Sequence, residues 1–413
     1  KNIVLPFFFQ GDKKKMIIYS KNVVFYETIK PAFLEIESGK IKRVIDGNQN
    51  IQPDIDYGEN YIIPGIIDTH NHGGAGYRFD YADKKGLLDC LKTQACFGVT
   101  GIFPTTCNEQ QYPLLYEISK ENNDGAKVLG IHSEGPWGSR VGEKGINKGY
   151  PSVDLKLADK MIEKGNGLLK LVDVAPEIEH GLDAIDYFVS RGVTVGQYHT
   201  SATYEESLKG IEHGTTVATH LFNVMTGLHH RDVGVAGASI LSDKVDCELI
   251  CDGLHVSLPM VALAMKMKPH DRIMMVSDNT AFLGAPKGKY KGQTKDIGTD
   301  REELTVTDEG FVLSKTGRLS GSSKPVLFGM KNLVQKLNMD LVDVCRMSSF
   351  NPARKYGLTS KGEIHEGKDA DFVVIDADFN PLYTYVEGRK VFDYSTDKIP
   401  FNKQYLKENY LGD

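Results

Sequence analysis

The chain has 413 residues, with Lys+Arg 49 against Asp+Glu 55, a formal net charge of -6 and six cysteines. That length exceeds one small domain, the balanced charge offers no surface for nucleic acid, and no apolar run approaches the roughly 20 residues needed to span a bilayer. Cys90, Cys96, Cys107, Cys247, Cys251 and Cys345 form no Cys-x-x-Cys pattern, so free thiols in a reducing, cytoplasmic setting are expected.

Residues 3–9 are apolar but short and contain Pro6. They run into Gln10-Gly11-Asp12-Lys13-Lys14-Lys15 without a small-residue cleavage site, so no signal peptide is expected. Residues 1–15 are set aside as an extension ahead of Met16. Residues 16–63 hold short strand-like pieces at 17–19, 32–36 and 41–45, and residues 359–395 hold two more at 371–375 and 383–391. Both flanks are turn-rich and lack long helices, so they are expected to pair into one small β-sandwich built from both chain ends, with 396–413 as a C-terminal tail.

Residues 64–358 read differently. Apolar runs at 62–67, 99–104, 128–132, 168–174, 193–198, 216–221, 247–251 and 273–276 give eight strands, separated by segments with helical patterns such as 204–213 and 259–267. Several runs are continuous rather than alternating, as in parallel strands covered on both faces. The expected fold class is α/β, a (β/α)8 TIM-type barrel carrying the small β-sandwich domain. A doubly wound open sheet is the alternative, disfavoured because polar residues sit at the C-terminal ends of many different strands.

Those ends carry the chemistry. The first run leads into His70-Asn71-His72-Gly73, and residues i and i+2 of a strand face the same way. The third ends in His132-Ser133-Glu134-Gly135-Pro136, the fifth in Gln197-Tyr198-His199, the sixth in Ala218-Thr219-His220 and the eighth in Val276-Ser277-Asp278. In a barrel they meet at one mouth. Four histidines and a glutamate suffice for one or two divalent ions, and imidazole with carboxylate suits Zn2+ or Fe2+. Asp278, on the strand beside the first, is placed to move a proton between water and a leaving group. Taken singly, Glu134 reads as a turn cap, His199 and His220 as core histidines and Asp278 as an N-cap. Five of eight strand ends bearing a ligand or base favour the metal site.

The pattern resembles the amidohydrolase superfamily and, within it, the N-acetylglucosamine-6-phosphate deacetylase family. The resemblance spans Met16 to about Phe392. It rests on Pro64-Gly65-Ile66-Ile67-Asp68-Thr69-His70-Asn71-His72-Gly73, His132-Ser133-Glu134-Gly135-Pro136-Trp137 and Thr219-His220-Leu221-Phe222-Asn223-Val224-Met225. Shorter matches are His229-His230-Arg231, Cys251-Asp252-Gly253-Leu254-His255-Val256, Ser277-Asp278-Asn279, Gly321-Ser322-Ser323, Asn351-Pro352-Ala353 and Gly367-Lys368-Asp369-Ala370-Asp371.

The resemblance implies a main metal site of Glu134, His199 and His220, a second at His70 and His72, and Asp278 as the catalytic aspartate. It implies sugar-phosphate contacts from Asn223, the adjacent backbone of Val224, His255 and Leu319. Arg231 would reach the phosphate of the neighbouring subunit's substrate, which implies a homodimer. The implied reaction is hydrolysis of the acetamide of N-acetylglucosamine 6-phosphate, with one or two divalent ions per subunit and no nucleic-acid or membrane partner. Many relatives carry a histidine shortly after the Glu-Gly-Pro glutamate that polarises the acetyl carbonyl. Here Glu143-Lys144-Gly145-Ile146-Asn147-Lys148 holds none, so a second metal at His70 and His72 is expected to supply that electrophile. The rival readings are an N-acetylgalactosamine-6-phosphate deacetylase, a cyclic-amide hydrolase of the dihydroorotase or hydantoinase type, and an inactive scaffold homologue.

Overall fold

The apolar run at 62–67 is two strands, not one, and its break joins the two parts of the molecule. In the computed structural model, which describes residues 15–140, 150–291, 303–317, 319 and 322–409, Tyr61–Pro64 and Ile66–Asn71 lie in different sheets. Tyr61–Pro64 runs antiparallel to Phe372–Ile375, while Ile66–Asn71 runs parallel to Val99–Pro104. Gly65 is the pivot: its N–H donates to the Asp371 carbonyl at 3.0 Å, and a Cβ there would overlap the Thr100 side chain. Pro64 before it lacks the N–H that a continuing ladder would need.

Both ends of the chain contribute to one eight-stranded sheet. Its order is Arg389–Asp393, Pro381–Val386, Phe372–Ile375, Tyr61–Pro64, Met16–Val24, Ile29–Glu37 and Lys40–Asp46, with Ile55–Asp56 paired beside Met16–Val24. Ile18, Val23, Leu34, Ile36, Ile62, Phe372, Val374 and Tyr385 form its core. Each such side chain contributes roughly 1.5–3 kcal/mol by leaving water.

The run at 383–391 is a hairpin rather than a single strand, formed by Pro381–Val386 and Arg389–Asp393. Glu387 and Gly388 turn it with φ of 49° and 72°, and two positive values in a two-residue loop match the twist of the flanking strands. A Cβ on Gly388 would lie 3.0 Å from Ile36 Cγ2 and 3.1 Å from Gly39 Cα. Gly388→Ala is therefore expected to lower stability by about 1–2 kcal/mol from the left-handed backbone alone. A fall in the urea midpoint at unchanged slope checks this.

The second part is built on parallel strands. Ile131–Trp137, Leu169–Val174, Thr194–Gln197, Thr215–Ala218, Asp246–Ile250 and Ile273–Val276 form one sheet in that order, and Lys127–Val128, Val99–Pro104 and Ile66–Asn71 form another. The predicted strand 128–132 is thus also divided between two sheets. Parallel bridges Thr105–His132 and Asn71–Asn279 tie the sheets together on both sides. Hydrogen bonds from Thr106 N to His132 O (2.9 Å) and from Asp278 N to His70 O (3.0 Å) reinforce them. Val99–Pro104 and Asp246–Ile250 are buried at every residue, as in parallel strands covered on both faces, although Asp246–Ile250 carries two acids, Asp246 and Glu248.

Helices alternate with these strands. Tyr204–Glu212 starts with a capping box in which Glu206 N donates to Thr203 Oγ1 (3.2 Å) and Thr203 N donates to the Glu206 carboxylate (2.8 Å). Leu258–Met267 starts with Pro259 in its first turn, where the missing N–H costs nothing. A small antiparallel sheet, Gly288–Lys291, Glu303–Val306 and Val312–Ser314, packs Leu304, Val306 and Val312 with Leu406 of the C-terminal helix Lys403–Asn409. Among the described residues no helix is long and apolar enough to cross a membrane. All six cysteines are free, and Cys247 and Cys251 lie in the core.

Candidate metal centre

Six polar side chains meet where the parallel strands end. His70 closes Ile66–Asn71, His72 follows it, and Glu134 lies in Ile131–Trp137. His199, His220 and Asp278 each sit two residues beyond Thr194–Gln197, Thr215–Ala218 and Ile273–Val276. These last three share an unusual backbone, with φ of 37°, 35° and 50°. A side chain with a Cβ pays roughly 1–2 kcal/mol in that region. Neighbouring backbone holds the conformation: Ser139 N and Arg140 N both donate to His199 O at 2.8 Å, and Asp278 N donates to His70 O. Strain of this kind concentrates where a side chain must be aimed.

Glu134 is the centre of the cluster. Its Oε1 lies 3.0 Å from His220 Nε2 and 3.3 Å from His199 Nε2, and its Oε2 lies 3.1 Å from His72 Nε2. His70 Nε2 is 3.7 Å from Glu134 Oε1. Asp278 Oδ1 lies 3.3 Å from His72 Nε2 and 3.6 Å from His70 Nε2. One carboxylate thus faces all four histidines, with Oε1 toward His70, His199 and His220 and Oε2 toward His72.

The electrostatics follow from this packing. Burial pushes the Glu134 carboxyl up, but hydrogen bonds from His199, His220 and His72 outweigh it and hold the group well below the usual carboxylate range. Burial also pushes Asp278 up, and the bond from His72 with the charges of His70 and His72 reverses that shift downward. Burial pulls His72 down, yet Asp278 and Glu134 raise it to about 9. His220 moves the same way, to about 9, through Glu134.

The residues fit a divalent ion. His70 Nε2 is buried without a hydrogen-bond partner and faces Glu134 and Asp278, as a ligand nitrogen would. Ligand atoms of Glu134, His199 and His220 lie within 4.8 Å of one another, as do those of His70, His72 and Glu134. A third group, His70, His132 and Glu248, is equally close, but both of its imidazoles are already engaged there. His132 Nε2 binds Asp173 Oδ2 at 2.7 Å and its Nδ1 binds Thr69 O at 3.1 Å, while His70 Nδ1 faces Glu248. That third group is a hydrogen-bonded support beneath the other two.

The sequence profile of the amidohydrolase family matches residues 61–391. The chain belongs to the amidohydrolase family. It is 33% identical over 338 residues to the N-acetylglucosamine-6-phosphate deacetylase of Lysinibacillus sphaericus, covering 80% of this chain and 85% of that protein. It is 30% identical to the N-acetylgalactosamine-6-phosphate deacetylase of Escherichia coli O157:H7, covering 79% and 87%. Among solved structures it resembles a variant of the Mycobacterium smegmatis N-acetyl-D-glucosamine-6-phosphate deacetylase in complex with N-acetyl-D-glucosamine-6-phosphate. That match has a TM-score of 0.82 and 27% identity, over 91% of this chain and 99% of that one.

In this amidohydrolase the residues expected around a substrate divide into two sets. Asn223 and His255 adjoin the cluster: Asn223 Nδ2 donates to His220 O at 3.1 Å, and His255, which binds Asp252 Oδ2 at 2.7 Å, feels the charges of Asp278 and His220. The carbonyl of Val224 accepts from Thr200 N at 3.1 Å. Arg231 and Leu319 make local contacts. Arg231 is exposed and donates from Nε to His230 Nε2 at 3.1 Å, and Leu319 pairs with Leu313. The stretch Glu143–Lys148 and Gly321 lie outside the described residues.

Several supporting groups were not expected from sequence. Glu248 takes a hydrogen bond from Thr69 Oγ1 at 2.7 Å. Thr219 Oγ1 donates to Asp173 Oδ1 at 2.7 Å, steadying the partner of His132. The Tyr150 hydroxyl donates to Arg140 O at 3.1 Å and stands 2.6 Å from His199 Nδ1. That contact turns His199 Nε2 toward Glu134. For Glu248 a signal existed: a lone acid inside an apolar run, Cys247-Glu248-Leu249-Ile250.

Proposed function

We propose that this amidohydrolase removes the acetyl group of N-acetylglucosamine 6-phosphate, releasing glucosamine 6-phosphate and acetate in amino-sugar catabolism. The carrying observation is Glu134, with one oxygen toward His199 and His220, the other toward His72, and the Asp278 carboxylate beside the His-x-His pair. The names of the relatives supply the substrate class. Glu134, His199 and His220 would hold one divalent ion, and His70 and His72 beside Glu134 would hold another; Zn2+ and Fe2+ suit these donors. When bound, such ions activate water near neutral pH and polarise the acyl oxygen, the role many relatives share with a histidine. Asp278 accepts the proton of the attacking water and returns it to the amine nitrogen as the carbon–nitrogen bond breaks.

Asn223, the Val224 backbone, His255 and Leu319 bind the sugar phosphate. Arg231 of one subunit reaches the phosphate held by its neighbour in a homodimer, where a guanidinium fork suits a doubly charged group. The parallel strands close as a (β/α)8 barrel over residues 64–358, and residues 16–63 with 359–395 form the accessory β domain. The free thiols suit the cytoplasm.

The similarity to the E. coli O157:H7 protein supports a second reading, the galacto epimer as substrate. One assay tests both. Metal-stripped enzyme is supplied with Zn2+, Fe2+ or Mn2+ and acetate release is measured from each hexosamine phosphate. The expected result is no turnover without metal and a higher kcat/KM for the gluco substrate. A higher value for the galacto epimer would transfer the proposal to it, and full turnover of stripped enzyme would end both.

A further inference from the structure

Glu248 is a carboxylate in the wrong place for a structural acid. It lies on Asp246–Ile250, a strand buried at every residue, and is itself 0% exposed. Removing a carboxylate from water costs several kcal/mol unless something answers the charge. Two side chains answer it: Thr69 Oγ1 at 2.7 Å and His70 Nδ1 at 3.2 Å. Thr69 and His70 are adjacent on Ile66–Asn71, so one carboxylate from across the interior grips two successive residues of the His-x-His strand.

The grip decides which nitrogen of His70 is free. A carboxylate opposite Nδ1 keeps the proton there, and the lone pair is left on Nε2. Nε2 is the buried atom without a hydrogen-bond partner, 3.7 Å from Glu134 Oε1 and 3.6 Å from Asp278 Oδ1. Among the described residues His72 has no such clamp; its Nε2 lies against Glu134 and Asp278. The ring that most needs an outside orienter is therefore the one that has it.

We infer that Glu248 is a positioning residue: with Thr69 it fixes the Nδ1–H tautomer of His70, and so decides whether this chain retains an ion at the His70/His72 site. The inference rests on the two-ion reading above, and the test separates the two. Wild-type, Glu248→Gln and Glu248→Leu proteins are loaded with Zn2+, and ion stoichiometry and affinity are measured by chelator competition. The His70 tautomer is read from imidazole nitrogen shifts in histidine-labelled protein.

Orienting partners of this kind typically carry about 10–100-fold in metal affinity. Glu248→Leu is expected to weaken the His70/His72 ion by that factor, to leave the Glu134/His199/His220 ion unchanged, and to lose the pure Nδ1–H tautomer. Glu248→Gln keeps an acceptor for Nδ1–H and is expected to rescue both readouts. A His70 tautomer identical in all three proteins, or equal weakening of both ions, would overturn the inference. A single ion in wild type would instead overturn the two-ion reading, while the tautomer comparison still decides the role of Glu248.

Discussion

Asp278→Asn is expected to cut kcat by roughly 100- to 10,000-fold, the range general acid–base catalysis contributes, while the ion content stays that of the wild type. The substitution keeps size and shape. Asp278 is fixed by its backbone, with φ of 50°, its N–H on His70 O at 3.0 Å and its carbonyl accepting from Ser322 N at 3.3 Å. Asparagine tolerates that left-handed conformation better than most residues, so the main chain has no reason to move. What is lost is a group that accepts and returns a proton. The carboxylate is also well suited to stay ionised beside His72 and His70, which hold it below the usual range against the pull of burial. Steady-state kinetics with elemental analysis of the same sample make the measurement. Unchanged turnover would remove Asp278 from the proton-transfer role, and loss of an ion together with turnover would make it a ligand instead.

The cluster was legible because each of its members interrupts an apolar run at the end of a strand, where a packed interior has no use for it. Glu134, His199, His220 and Asp278 are all polar residues at or just beyond the end of an apolar run, and parallel strands with helical crossovers send such ends to the same side. The runs at 99–104 and 273–276 coincide with observed strands for the same reason. What stayed hidden depends on partners far apart in sequence. Glu248 and His70 are separated by 178 positions, and only the cross-interior contact gives the acid a meaning. Tyr150 and Asp173 act through His199 and His132 in the same way. The strand break at Gly65 is hidden because hydrophobicity continues through it and backbone conformation makes the turn, whereas the break at Glu387-Gly388 is marked in the sequence by the polar stretch Glu387-Gly388-Arg389-Lys390.

Glu134→Gln is expected to have the larger effect on metal, because among the described residues Glu134 alone is paired with both His70/His72 and His199/His220. Its two oxygens are divided, Oε1 toward His199 and His220 and Oε2 toward His72. An amide keeps one oxygen and replaces the other with an N–H2 group, a donor with no lone pair for an ion. Whichever way it turns, either His72 or the His199/His220 pair loses its carboxylate oxygen, and both pairs lose the negative charge that offsets a dication in a buried site. The loss should exceed the roughly 10–100-fold in affinity that outer-shell changes produce, and it should fall on both ions. Glu248→Leu, by contrast, touches one. Elemental analysis after desalting, with acetate release measured on the same protein, separates the cases. Wild-type ion content in Glu134→Gln would mean that the histidines hold metal without it, and the placement of Glu134 between the pairs would then owe more to hydrogen bonding than to coordination.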